Sequence, residues 1–179
     1  MDALEQLRYP IGYFEFGNDY TLQQTKSNIQ IISALPSKFI NLLGNWDEAK
    51  LDTPYRPNGW TVRQLLHHVA DSHMNAYTRY RLTMTEENPT IRPYDEAAWA
   101  ELPDAKSAPA ELSLQLIKYI HMRWVLLLNS LSETDLERTF YHPGSNYTFS
   151  LEESIAHYAW HSEHHYQHAF RLAKRNDWH

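Results

Sequence analysis

Five of the chain's eleven histidines crowd one stretch, His157-Tyr-Ala-Trp-His161-Ser-Glu-His164-His165-Tyr-Gln-His168. Histidine is the commonest metal ligand, because neutral imidazole coordinates near pH 7. Residues four apart on a helix share a face, with Cβ atoms about 5–6 Å apart. Two imidazoles at that spacing can converge on one ion, at metal–nitrogen distances of about 2.0–2.1 Å. Three pairs qualify: His157/His161, His161/His165 and His164/His168. Spacing alone does not choose among them.

A pair on one helix leaves a zinc-like ion under-coordinated, so a third ligand must come from elsewhere. A second cluster, His67, His68 and His73, offers one. Sites in helical bundles are commonly built from facing helices. Neighbours on a helix diverge by about 100°, so only one of His67 and His68 can sit centrally on a core-facing seam. Leu65, Val69, Ser72 and Ala76 mark that seam. His68 belongs with Leu65, Val69 and Ser72, and His67 is displaced toward the margin. His121, His142 and His179 read as ordinary structural histidines.

The elements that must carry these residues are helices. Apolar positions at Leu22, Ile29, Ile32, Leu35, Phe39, Leu42 and Leu43 predict a first long helix, which Pro36 should kink or divide at Leu35. The turn-rich run from Asp52 to Gly59 is a loop. Thr61-Val-Arg-Gln64 fits a capping box that opens a second helix, running to about Met84. Residues 89–108 form a long connection with room for one short helical turn. A third helix runs from about Pro109 to Leu131, residues 139–149 form another loop, and Ser150-Leu-Glu-Glu153 is a second capping box. It opens a fourth helix that runs to about Arg175. Residues 1–20 read as an extended arm that packs by its aromatic side chains. Four amphipathic helices in residues 1–179 predict an all-α, single-domain helix bundle.

Composition narrows the chemistry. A chain of 179 residues buries a sizeable core without a metal staple, so a metal here serves function. There are no cysteines, which excludes thiolate ligands, disulfides and cysteine nucleophiles. The formal net charge of -6 and the lack of a basic patch argue against a nucleic-acid partner. No apolar run reaches the roughly 18 residues of a membrane span. The first residues lack the basic-then-apolar pattern of a signal peptide, so a cytoplasmic location is expected.

Several long motifs resemble one known family. The run from Leu51 through Pro54-Tyr-Arg-Pro-Asn-Gly-Trp-Thr-Val-Arg-Gln-Leu-Leu-His-His-Val-Ala-Asp-Ser to His73 is similar to the YfiT-like branch of the DinB superfamily. Tyr9-Pro-Ile-Gly12, Ile91-Arg-Pro-Tyr-Asp-Glu-Ala-Ala-Trp99, Tyr141-His-Pro143 and Trp160-His-Ser-Glu-His-His165 match it as well, in order and over nearly the whole chain. The resemblance implies an up-and-down four-helix bundle holding one divalent transition metal, zinc or nickel. It implies His68, His161 and His165 as the ligands. It gives His157 no role. Glu163 departs from the family pattern, where another histidine is common, and should face away from the ion.

Three imidazoles leave a position for water or substrate, as in catalytic sites. The resemblance implies a metal-dependent hydrolase. It also allows a thiol-S-transferase that joins a low-molecular-weight thiol to an electrophile, or a stress-induced metal-binding protein without turnover. Asp71 is the expected carboxylate partner of an imidazole N–H, or a general base, with Glu163 a second candidate base. Arg92, Tyr94, Asp95 and Trp99 are expected at the mouth of a pocket for a small-molecule substrate. Trp60 and Trp160 are expected in the core. Exposed aromatic faces and the resemblance both lean toward a homodimer. Protonated imidazole cannot coordinate, so metal binding is expected to weaken as pH falls through about 6.5.

Overall fold

The structure, a computed structural model, describes residues 2–178; His179 lies outside them. The N-terminal arm is not extended throughout. Asp2 caps a short helix, α1 (Ala3–Arg8), and Gly12 and Gly17 then turn the chain at positive φ. The first long helix, α2 (Leu22–Leu43), carries Pro36 in its interior without dividing there. Pro36 has no N–H for the Ile32 carbonyl, its partner one turn back. That carbonyl instead accepts a hydrogen bond from His121 Nδ1 at 2.8 Å. A donor from another helix thus takes over the lost bond.

Asp47 caps a single turn, α3 (Glu48–Leu51). The Thr61/Gln64 box opens α4 (Val62–Thr85) as the sequence predicts. The long connection holds two short helices rather than one, α5 (Glu96–Ala100) and α6 (Pro103–Ser107). The third long helix, α7 (Ala110–Ser130), has Pro109 at its N-cap. A turn, α8 (Glu133–Leu136), leads into the segment expected as a loop. That segment is an antiparallel hairpin, β1 (Thr139–His142) and β2 (Tyr147–Ser150). Phe140 and Phe149 face each other across it and stack at 5.3 Å, which supplies the missing apolar pairing. The last helix, α9 (Leu151–Arg175), follows directly. Only half of its expected capping box forms. Ser150 accepts from the Glu153 amide, whereas the Glu153 carboxylate accepts from Gly17 N and Tyr147 Oη and so ties down the arm.

The four long helices form the bundle, α2 on α9 and α7, α4 on α7 and α9. Their directions do not simply alternate. Thr25 meets Glu152 and Lys38 meets Glu163, so α2 and α9 run parallel. His67 meets Ser113 and His73 meets His121, so α4 and α7 run parallel too. Between the pairs the sense reverses: His73 meets His161, while Tyr80 meets Leu151. Long connections make such parallel neighbours possible. No helix among the described residues is long and apolar enough to cross a membrane.

The core has two apolar halves. One gathers Leu35, Phe39, Leu65, Val69 and Ile117; the other Ile32, Tyr80, Trp124, Leu128 and Ile155. Between them on α4, α7 and α9 lie His73, His121 and His161, with the His73 ring against the other two. A second polar group, Arg63, is only 2% exposed. It donates to Asp52, Glu48 and the Ala108 carbonyl, and so clamps α4 to the turns at both of its flanks. The carboxylates are exposed, so the buried carbonyl and the packed stem carry most of its value. Arg63→Ala should cost about 3 kcal/mol in a chemical-denaturation experiment; a cost below about 0.5 kcal/mol would reduce the clamp to a surface ion pair.

Candidate metal centre

Helix α9 presents its histidines because Leu151, Ile155, Tyr158, Ala159, Ala169 and Leu172 fix which face turns inward. The antiparallel crossing of α4 then sets His68 against His161 and His165. Ring centroids lie 5.6 Å and 4.9 Å from His68, and 4.4 Å between His161 and His165. One nitrogen from each of the three lies within 4.8 Å of the other two. Thus the structure brings together the three histidines that the family resemblance singles out. His67 turns aside, as the seam predicts, and pairs with Ser113 Oγ and the Ala108 carbonyl.

A second trio, His164, His165 and His168, is equally close and shares His165. It suits a cation less well. All three of its members lie on one helix, and His168 Nε2 already pairs with the Arg8 carbonyl at 3.1 Å. Burial lowers the His168 pKa, and the positive charge of Arg56, Arg171 and Arg175 lowers it further and repels a divalent ion. The third register, His157/His161, is wider at 6.3 Å, and His157 lies parallel to Trp160 instead.

The first trio faces a cavity of about 870 Å³. Its walls include Trp60, Tyr94, Tyr158 and Trp160, with Arg8, Arg56 and Arg79 around them. Trp60 and Trp160 are therefore walls of the site rather than core: Trp60 sits 4.8 Å from His68, and Trp160 stacks on His164. Tyr94 and Asp95 line the cavity. Arg92 and Trp99 do not. Arg92 is exposed, and Trp99 supports Tyr94 from behind at 4.4 Å. Arg79 takes the place expected of Arg92. It donates to Tyr158 Oη, forms no ion pair among the described residues, and leaves its buried Nε without a partner. Its sequence context carried no signal of this, because Arg79 looks like any cation on a helix.

Asp71 also lies elsewhere. Its carboxylate lies outside the cavity wall and contacts none of the three imidazoles by hydrogen bond. Burial and the nearby Asp104 raise its pKa to about 6. The partner of His161 Nδ1 is His73 Nε2, at 3.1 Å. Glu163 pairs with Lys38 and Gln167, away from the site. The acids that line the cavity are Asp95, which caps α5, and Glu96, whose pKa is raised by desolvation and by Asp95.

All ten described histidines have pKa values below the usual 6.5, and burial is the main cause each time. For His68 the value falls to about 4. The neutral, metal-competent form therefore persists further into acid than an unperturbed pKa implies. The same shifts destabilise the fold in acid. Below pH 6.5 the unfolded chain takes up protons that the native chain refuses, so stability falls as pH falls, until the native groups titrate near 4. His68, His121, His157 and His168, each at about 4, suffice to drive this. Metal-stripped protein should lose roughly 10 °C or more in thermal midpoint between pH 7 and 5.5. A flat midpoint over that range, read by circular dichroism, would contradict it.

The DinB superfamily model matches residues 31–169. A Bacillus pumilus protein named "Putative metal-dependent hydrolase" is 47% identical over 175 residues, covering 98% of this chain and 99% of its own. A similarly named Bacillus cereus protein is 49% identical, covering 98% and 100%. The solved structure of YfiT from Bacillus subtilis, described as "a probable metal-dependent hydrolase with an unusual four-helix bundle topology", superposes with a TM-score of 0.94. It is 44% identical and covers 97% of this chain and 99% of its own. The chain belongs to the DinB superfamily.

Proposed function

We propose that the protein is a metal-dependent hydrolase whose ion is held by His68, His161 and His165. One observation carries the reading: three imidazole nitrogens from two helices converge within 4.8 Å at the wall of a large cavity. The donor set suits zinc or nickel, since imidazole binds both. When bound, the ion supplies Lewis acidity, which lowers the pKa of a water or a thiol. Burial keeps the three rings neutral and able to coordinate. Trp60, Trp160 and Tyr94 give the cavity an aromatic wall beside the trio. Arg79, without a carboxylate partner, favours a small substrate that carries a carboxylate or other anionic group. Glu96, at the rim with a raised pKa, is the carboxylate best placed to take a proton.

Elemental analysis of untagged protein tests the ligands. His68→Ala, His161→Ala and His165→Ala should each abolish stoichiometric zinc or nickel, whereas His164→Ala should keep it. Full occupancy in any of the first three sinks the assignment. Metal-loaded protein should hydrolyse members of an ester and amide panel, with Arg79→Gln raising KM for anionic members about tenfold or more. Should the loaded protein instead consume chlorodinitrobenzene only when a low-molecular-weight thiol is added, the reaction is thiol transfer. No turnover in either assay points to metal binding without catalysis.

We further propose that two copies pair through the outer face of α7. Leu112, Leu116, Tyr119, Met122 and Leu126 form an exposed stripe along it, Leu126 at 73%. Light scattering should report a dimer that Leu126→Glu converts to monomer; a wild-type monomer at micromolar concentration contradicts the pairing.

A further inference from the structure

Two buried histidines outside the ligand set, His73 and His121, join the metal centre to the proline in α2. His161 Nδ1 lies 3.1 Å from His73 Nε2. His73 Nδ1 lies 2.7 Å from His121 Nε2. His121 Nδ1 lies 2.8 Å from the Ile32 carbonyl. His73 is wholly buried and His121 is 2% exposed. The three rings come from three helices, and Trp124 packs edge-on against two of them.

The direction of every hydrogen bond follows from its far end. A carbonyl oxygen only accepts, so His121 Nδ1 must carry the proton. In a neutral ring the other nitrogen is then an acceptor, so His121 Nε2 receives a proton from His73 Nδ1–H. His73 Nε2 is likewise left as an acceptor, and His161 Nδ1–H donates to it. The last ring therefore has its one free lone pair on Nε2. Imidazole coordinates through a lone pair, and a hydrogen bond on the other nitrogen fixes which one is available.

We infer that His73 and His121 are positioning residues for the metal centre, anchored on the Ile32 carbonyl, which hold His161 in the tautomer whose Nε2 is open to the ion. The inference rests on the metal-centre reading above for its purpose, though not for its geometry. Pro36 belongs to the device. By lacking an amide proton it leaves the Ile32 carbonyl without its helical partner, and His121 takes that place. The array is a lock rather than a proton wire, because it ends on a carbonyl that accepts a hydrogen bond and passes no proton onward.

Nitrogen-15 spectra of histidine-labelled full-length protein test the lock directly. Long-range proton–nitrogen correlations distinguish Nδ1–H from Nε2–H rings. In metal-free protein His73, His121 and His161 should all be Nδ1–H, and zinc should then shift Nε2 of His161. A His161 ring with its proton on Nε2, or zinc on its Nδ1, overturns the proposal. His121→Leu removes the anchor and should weaken zinc binding about tenfold. His121→Gln keeps one donor and one acceptor and should restore most of that loss at a similar thermal midpoint. Zinc affinity within twofold of wild type in a folded His121→Leu protein also overturns it. If His121→Leu fails to fold, the tautomers in the wild-type spectra decide alone. Failure of wild-type protein to bind zinc or nickel would refute the metal centre, while the metal-free spectra would still judge the array.

Discussion

A layer of imidazoles crosses the middle of this bundle, and the rest of the structure answers to it. A polar ring in a dry interior is costly unless each nitrogen finds a partner, and a partly satisfied network is costlier than an apolar one. The layer divides the core into two apolar halves, which fix the helices above and below it. Its members draw on α4, α7 and α9, and its last hydrogen bond reaches the backbone of α2. All four long helices are therefore tied to one polar plane. Sliding any one of them by a turn, about 5.4 Å, would break that plane.

The helix directions serve the same end. Because α4 runs against α9, residues near the start of α4 face the middle of α9, and His68 reaches His161 and His165. With α7 parallel to α4, His121 follows His73 at the same level. One side of the cavity is the face of α4 and α9 that carries the ligands with Arg79, Tyr158 and Trp160. Connections supply the rest: Trp60 before α4, Tyr94 and Asp95 before α5, His142 at the end of β1, and the N-terminal arm. The bundle places the imidazoles and the connections shape what can approach them, a division common where loops carry function on a rigid scaffold.

The long helices were legible because their apolar periods and their Thr61 cap are local features. The histidines of α9 were legible as a set, though only family likeness separated His161 and His165 from the other registers. The relative helix directions were not legible, since long connections permit either sense. His73 and His121 were missed as a pair for a physical reason. His121 looks like a lone histidine on an apolar face and His73 like a spare member of the His67/His68 cluster, and their meaning lies in a contact between helices. Pro36 held the one available signal. A proline inside a strongly periodic helix implies a carbonyl in need of a donor, and a buried histidine elsewhere can supply it. Asp71 misled because a carboxylate three residues after a ligand suggests a shared face, whereas its side chain lies toward Asp104.

The N-terminal arm runs antiparallel along α9 and is fastened to it by three hydrogen bonds, at Arg8, Gly12 and Gly17. These partners stand 160, 148 and 136 residues away along the chain. The arm also supplies the cavity wall at Arg8 and Tyr9, beside His164 and His168. The two ends of the chain therefore meet at the metal centre, and the seating of the first residues sets how wide an entrance the ligands on the last helix present to an arriving ion.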